Sequence, residues 1–255
     1  MERAVATIDR AALVHNLARV RDLAPAGEIF AAVKADGYGH GVGVVASTLA
    51  EAGCDGFAVS SLEEALQLRW SGITQPIMTL SQPLSADVLE AMGEHAITPV
   101  IFERAHLAAL ADYRGPELAA WLKLDSGMHR LGFPAYEARA LIADINAMAR
   151  VRLAGCMTHL GCADDPRDPL THHQLACFDE ALSALDVPRS IANSAGVIAW
   201  PASHANRLRP GIMLYGSSPM IDRTSADLDL APVMHLSAPL TSRRDLGTGE
   251  PIGYG

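Results

Sequence analysis

The amino-acid sequence predicts an α/β protein that forms a (β/α)8 TIM-type barrel, together with the beginning of a second, mostly-β domain. Eight short apolar runs alternate with longer stretches of helical periodicity, which is the pattern of such a barrel. Hydrophobic residues make up 49% of the 255 residues, enough to fill a large core. No G-x-G-x-x-G turn follows the first apolar run, so the pattern does not favour a doubly wound open sheet.

The elements of the predicted barrel follow from hydrophobic periodicity. The candidate strands are residues 28–34, 56–61, 76–81, 97–102, 119–125, 153–159, 189–193 and 210–215. Helical periodicity covers residues 40–52, 62–72, 85–93, 103–112, 134–149 and 171–185. Ser61 and Glu64 fit a capping box at the start of one helix. Thr171 is predicted to cap the helix that begins at His172.

Two segments lie outside the repeat and predict the second domain. Residues 3–9 have the pattern of a strand, and residues 232–255 have the pattern of strands around a turn at Gly247–Gly249. We therefore predict a barrel at residues 9–226 and a partial β domain at residues 1–8 and 227–255. Because the chain stops at Gly255 without a closing strand or helix, we expect this second domain to be truncated.

Composition narrows the class of protein. The net charge is −9 and no stripe of Lys and Arg stands out, so a nucleic-acid partner is not expected. The four cysteines form no C-x-x-C pair, and no apolar segment has the length of a membrane span or the form of a signal peptide. These features predict a cytoplasmic protein without a membrane or metal site. The acidic and histidine residues at 164–173 are interpreted as a solvated loop.

Lys34 is the first candidate catalytic residue. It lies at the carboxyl end of the first barrel strand, the end at which these barrels form active sites. Position alone also fits a lysine that reaches solvent. The glycines at 37, 39 and 41 favour a functional site, since they allow backbone to approach a ligand closely. An amine in a partly dry pocket has a lowered pKa and can form a Schiff base with an aldehyde.

Further segments at or beyond predicted strand ends carry chemically useful residues. His159 ends predicted strand six and Ser194 follows predicted strand seven, although locally they also fit a core histidine and a helix cap. Together with Ala32–Gly41, these segments resemble, in the same order, motifs of alanine racemases, which are fold-type III pyridoxal-phosphate enzymes. The segments are Trp121–Gly132, Gly155–Leu160, Ala192–Gly196, Arg207–Gly216 and Pro251–Gly255.

The resemblance implies a complete cofactor site. Lys34 would carry pyridoxal 5′-phosphate as a Schiff base, and His159 would lie beside the ring and hydrogen-bond Arg209. Arg209 would face the pyridine nitrogen, where a residue that cannot accept a proton suits a racemase. Arg130 would lie near the substrate carboxylate, held by Lys123 if that lysine is carbamylated and not simply ion-paired. The remaining cofactor-binding residues implied are Tyr38, Asn193, Ser194, Gly211, Ile212 and Tyr215.

Racemisation needs proton transfer on both faces of Cα, so two bases are expected. The resemblance implies Lys34 as the base for D-alanine and Tyr254, from the neighbouring subunit of a homodimer, as the base for L-alanine. We expect this chain to bind the cofactor but to racemise poorly. The alternatives are a single-domain pyridoxal-phosphate homeostasis protein, which residues 232–255 disfavour, and a decarboxylase of basic amino acids, which Arg209 disfavours. Alanine and serine as substrates are not distinguished.

Overall fold

A computed structural model describes residues 4–254, and within them eight parallel strands close into a barrel. The strands of the whole described range, in chain order and including those outside the barrel, are β1 (Val5–Ile8), β2 (Glu28–Ala32), β3 (Gly56–Val59), β4 (Ile77–Thr79), β5 (Ile97–Ile101), β6 (Leu118–Asp125), β7 (Phe133–Pro134), β8 (Val151–Met157), β9 (Arg189–Ser190), β10 (Arg207–Leu208) and β11 (Met234–Ser237). The barrel order is β5-β4-β3-β2-β10-β9-β8-β6, and pairing of β5 with β6 closes it. The predicted fold class is therefore confirmed.

Helices surround the barrel and alternate with its strands. They are α1 (Arg10–Leu23), α2 (Lys34–Gly39), α3 (Val42–Glu51), α4 (Leu62–Trp70), α5 (Ala86–Glu94), α6 (Arg104–Asp112), α7 (Ala138–Asn146), α8 (Leu170–Ala181) and α9 (Ser194–Ala199). The Ser61 hydroxyl accepts the N–H of Glu64 and caps α4, as predicted. The predicted cap at Thr171 is wrong: α8 begins at Leu170, whose N–H donates to the Asp168 carboxylate at 2.8 Å.

Buried apolar side chains form two clusters, and neither fills the end of the barrel at which the strands have their carboxyl ends. The larger core lies between the strands and the surrounding helices. A separate cluster fills the interior of the barrel with Phe30, Ala58, Met78, Val100, Phe102, Trp121 and Met157. Arg207 stacks over the rings of Phe30 and Trp121 at 4.4 and 5.0 Å. The interior above this cluster, toward the carboxyl ends of the strands, remains available for a site.

The eighth predicted strand, residues 210–215, is wrong. The eighth strand is β10, and Ile212–Tyr215 forms a short 3-10 helix. The backbone N–H groups of Gly211 and Met213 donate to the hydroxyl of Ser194 instead of to a neighbouring strand. A side-chain acceptor therefore replaces a sheet partner at this apolar run.

A second, two-stranded sheet lies outside the barrel. β1 and β11 pair antiparallel, from Val5 with Ser237 to Ile8 with Met234. Only the first part of the strand pattern predicted for residues 232–255 is present. A turn occurs near Gly247, where Glu250 N–H donates to the Gly247 carbonyl, and residues 238–254 contain no strand. Arg3, where the first predicted segment begins, and Gly255, where the second ends, lie outside the described residues.

Candidate active site

A cavity of about 710 Å³ lies at the carboxyl ends of the barrel strands. It brings together side chains that are far apart in sequence and that the sequence patterns singled out. The predicted site residues that line it are Lys34, Tyr38, Lys123, Arg130, His159, Asn193, Ser194, Arg209, Gly211 and Ile212. The sequence contains only two lysines, Lys34 and Lys123, and both line this cavity. Any lysine-based covalent chemistry of the chain therefore belongs here.

Lys34 begins a turn of left-handed helix. The φ angles from Ala35 to Tyr38 lie between 51° and 63°. Glycine adopts this conformation freely, but Ala35, Asp36 and Tyr38 are not glycines, and each costs about 1–2 kcal/mol there. Such strain persists where neighbouring contacts hold it, and it is concentrated at functional sites. The turn directs Lys34 and Tyr38 toward the same cavity.

Ser194 and the backbone around Gly211 line another part of the cavity and form a candidate anion cradle. The Ser194 hydroxyl accepts the N–H groups of Gly211 at 2.8 Å and Met213 at 3.3 Å, and Asn193 caps the following helix by accepting the N–H of Gly196. A Cβ atom on Gly211 would lie 2.5 Å from the Tyr38 hydroxyl oxygen, so any larger residue would force the Tyr38 side chain to move. The hydroxyls of Tyr38 and Ser194 thus lie close to the backbone of Gly211, a group of potential donors that suits a phosphate.

Arg209 is a buried cation that lines the same cavity. It is 4% exposed, and its guanidinium donates to the Ser190 hydroxyl and to the carbonyls of Thr158 and Ile191. Burial lowers the pKa of Arg209 to about 10, so it stays protonated at neutral pH. The hydrogen bond that the family motifs imply between His159 and Arg209 is not among these contacts, and it is the carbonyl of Thr158, the residue before His159, that accepts from the guanidinium.

The remaining cavity groups make a strongly cationic environment. Lys123 is 7% exposed, and burial, followed by the charges of Arg209 and Arg130, lowers its pKa to about 8. Burial and the same arginines lower the pKa of His159 to about 3, so its ring is neutral. A site with this charge attracts an anionic ligand, such as a phosphorylated cofactor and an amino-acid carboxylate.

The comparisons with known proteins agree with this geometry. The family model "Alanine racemase, N-terminal domain" matches residues 8–219. The chain belongs to the alanine racemase family. It is 45% identical to the alanine racemase of Thioalkalivibrio sulfidiphilus, with 100% of this chain and 72% of the relative covered. It is 42% identical to the biosynthetic alanine racemase of Escherichia coli, with 100% and 71% covered.

The solved structures give the same result. The crystal structure of the biosynthetic alanine racemase from Pseudomonas aeruginosa superimposes with a TM-score of 0.94 at 43% identity, covering 100% of this chain and 71% of that one. Membership of the alanine racemase family makes this chain an enzyme of the isomerase class. Because the similarity includes residues 232–254, it favours a racemase over a single-domain homeostasis protein or a decarboxylase.

Two residues that the family motifs imply lie outside the cavity lining. Tyr215 is buried and its hydroxyl donates to the Ala32 carbonyl at 3.0 Å, while its ring stacks on Tyr38 at 4.7 Å. Tyr215 thus supports Tyr38 and does not itself face the cavity. Tyr254 is fully exposed on the segment that follows β11.

The cavity also has lining residues that the sequence patterns did not identify. Ser60 directly follows β3 and Ser81 lies two residues beyond the end of β4, so the rule that barrel sites form at strand ends could have found them. Asp164 lines the rim, although its neighbour Asp165 is paired with Arg167 as expected of a solvated loop. Within residues 4–254, no group of three or more acidic, histidine or cysteine side chains is arranged to hold a metal ion. No helix in this range is long and apolar enough to cross a membrane.

Proposed function

We propose that this chain interconverts L- and D-alanine with pyridoxal 5′-phosphate as its cofactor, in a barrel domain at residues 9–226. The observation that carries the proposal is the convergence of Lys34, Arg209 and the Ser194 cradle on one cavity in a chain of this family. When bound, the cofactor withdraws electrons from the substrate Cα and so acidifies its hydrogen. Binding of the cofactor and the substrate, and the proton transfers, depend on residues of the protein.

The lining residues fit the parts of this cofactor. Lys34 would bond to its aldehyde carbon, and Arg209 would hold the ring nitrogen while keeping it unprotonated. Tyr38, Ser194 and the backbone at Gly211 would hold the phosphate. Asn193, Ile212 and His159 would complete the walls of the site, and Tyr215 would contribute by fixing Tyr38.

The proton transfers require two groups on opposite faces of the substrate. Lys34 would serve as the base for the D-enantiomer. Tyr254 would serve for the L-enantiomer, and because it lies outside the cavity of its own chain, a second copy must supply it. A homodimer, in which residues 1–8 and 227–255 belong to a second domain, is therefore part of the proposal.

Substrate binding would rest on Arg130. Arg130 lines the cavity, and a guanidinium suits the carboxylate of alanine. Carbamylation of Lys123 would replace one of the clustered cations with an anion that holds Arg130. A neutral amine is the form that reacts with carbon dioxide, and the pKa of about 8 makes that form accessible near neutral pH.

The test is racemisation in deuterium oxide. The chain is incubated with pyridoxal phosphate and L-alanine, and chiral chromatography with mass spectrometry detects D-alanine deuterated at Cα. We expect product that depends on Lys34 and is lost in Lys34→Ala. Removal of the amino group to form pyruvate without D-alanine would contradict the proposed reaction.

A further inference from the structure

The carboxylate of Glu64, in the first turn of α4, connects two backbone segments beside the cavity. Its Oε1 accepts the N–H of Ala35 at 2.7 Å, and its Oε2 accepts the N–H of Ser60 at 2.6 Å. Ala35 directly follows Lys34, and Ser60 lines the cavity at the end of β3. A single side chain therefore ties the backbone beside the lysine to the neighbouring barrel strand.

This arrangement differs from the ordinary capping box that the sequence predicts. In a capping box the glutamate accepts the N–H of the N-cap residue, which here would be Ser61. Instead, Glu64 reaches the residue before the cap and also a backbone N–H 29 positions earlier in the chain. Helix capping alone needs no contact with Ala35, so this second hydrogen bond calls for a separate reason.

The left-handed turn after Lys34 provides that reason. Ala35, Asp36 and Tyr38 occupy a backbone conformation that their side chains disfavour, so the turn persists only if contacts hold it. Glu64 holds its beginning through Ala35. Asp36 holds its end, since its carboxylate accepts the N–H of Val42 at 2.8 Å. Hydrogen bonds from N–H groups to carboxylates are among the stronger ones in proteins.

We propose that Glu64 is a positioning residue for Lys34: its two hydrogen bonds hold the strained turn in place and thereby orient the lysine amine in the cavity. The role assigned to Lys34 rests on the proposed function. The clamp on the turn does not, because it is a property of the protein without cofactor.

The test compares Glu64→Gln and Glu64→Asp with the matched control Glu63→Gln. Glutamine offers one acceptor for two N–H groups, and aspartate is one methylene too short to reach both. Glu63 lies in the same first turn of α4 and is exposed, and its substitution removes the same charge. The first readout is amide hydrogen exchange at Ala35 and Ser60 in the cofactor-free protein, alongside the thermal melting curve.

The second readout is the rate at which pyridoxal phosphate labels Lys34, measured by borohydride reduction and peptide mass. In both Glu64 variants we expect exchange at Ala35, Ser60 or both to accelerate by about tenfold or more, and labelling to slow by about tenfold. Global stability and the Glu63→Gln control should change little. Unchanged exchange at both amides would overturn the proposal. So would a decrease in labelling rate that is no larger than the measured loss of global stability accounts for. If the parent chain takes no label at Lys34, the proposed function fails, and the exchange data still decide the clamp.

Discussion

Substitution of Lys123 by methionine should stabilise the cofactor-free protein. Lys123 is almost fully buried beside Arg209 and Arg130, and its pKa falls from the ordinary 10.5 to about 8. At about 1.4 kcal/mol per pKa unit, the charged form costs the folded state about 3 kcal/mol at pH 7. Methionine has a similar length and no charge, so Lys123→Met should raise the free energy of unfolding by up to about 3 kcal/mol.

The direction in which the free energy of unfolding changes with pH follows from proton linkage. Between about pH 8 and 10.5 the unfolded chain binds more protons at Lys123 than the folded chain does, so the parent protein gains stability as the pH rises. The advantage of Lys123→Met should therefore be complete below pH 8 and disappear by about pH 10.5. At pH 7 the melting temperature should rise by several degrees, since about 1 kcal/mol shifts it by about 2–4 °C in proteins of this size.

The assay is urea unfolding followed by circular dichroism, in buffer freed of carbon dioxide, at pH 7 and pH 10. Leu122→Met is the control, because it lies next to Lys123 on the same strand and exchanges one buried apolar side chain for another. Added bicarbonate should stabilise the parent protein and leave Lys123→Met unchanged if Lys123 becomes carbamylated. A Lys123→Met protein that is less stable than the parent without bicarbonate would refute the reasoning.

Three further predictions concern single contacts. Gly211→Ala should weaken pyridoxal-phosphate binding in spectrophotometric titration by about ten- to a hundredfold, because its Cβ meets the Tyr38 hydroxyl, whereas Gly43→Ala, with open space around it, should bind normally. The His159 ring should stay neutral from pH 5 to pH 9 because its pKa is about 3, and an NMR titration midpoint near 6.5 would contradict this. Asn16→Ala should lower the free energy of unfolding in urea by about 2–4 kcal/mol, since the buried Asn16 amide donates to two carbonyls and accepts the N–H of Ala231. The exposed Asn146→Ala is its control, and equal effects of the two substitutions would be inconsistent with that role.

Much of the barrel could be predicted because its pattern of buried apolar residues repeats regularly along the sequence. Parallel strands buried on both faces have apolar runs, and their carboxyl ends meet at one edge. Lys34 and His159 could therefore be placed near each other from their positions at strand ends alone. The assignment of chemical roles to them required the resemblance to a family, since either residue alone also fits a structural role.

The features that escaped prediction depend on distant contacts. Residues 210–215 have the apolar pattern of a strand, but the N–H groups of Gly211 and Met213 donate to the Ser194 hydroxyl. The left-handed turn contradicts the local preference of Ala35 and Tyr38, and Glu64, in the first turn of α4, accepts the N–H of Ala35. Tyr215 has the right motif, yet its hydroxyl is taken by the Ala32 carbonyl. In each case a partner far away in sequence outweighs local propensity.

The central claim is that Lys34 holds the cofactor, and borohydride trapping with peptide mapping tests it most directly. The chain offers few competing amines, since its only other lysine is Lys123. We predict one reduced pyridoxyl group per chain, located on Lys34 and absent from Lys34→Ala. A label on Lys123 or on the amino terminus, with Lys34 unmodified, would contradict the account.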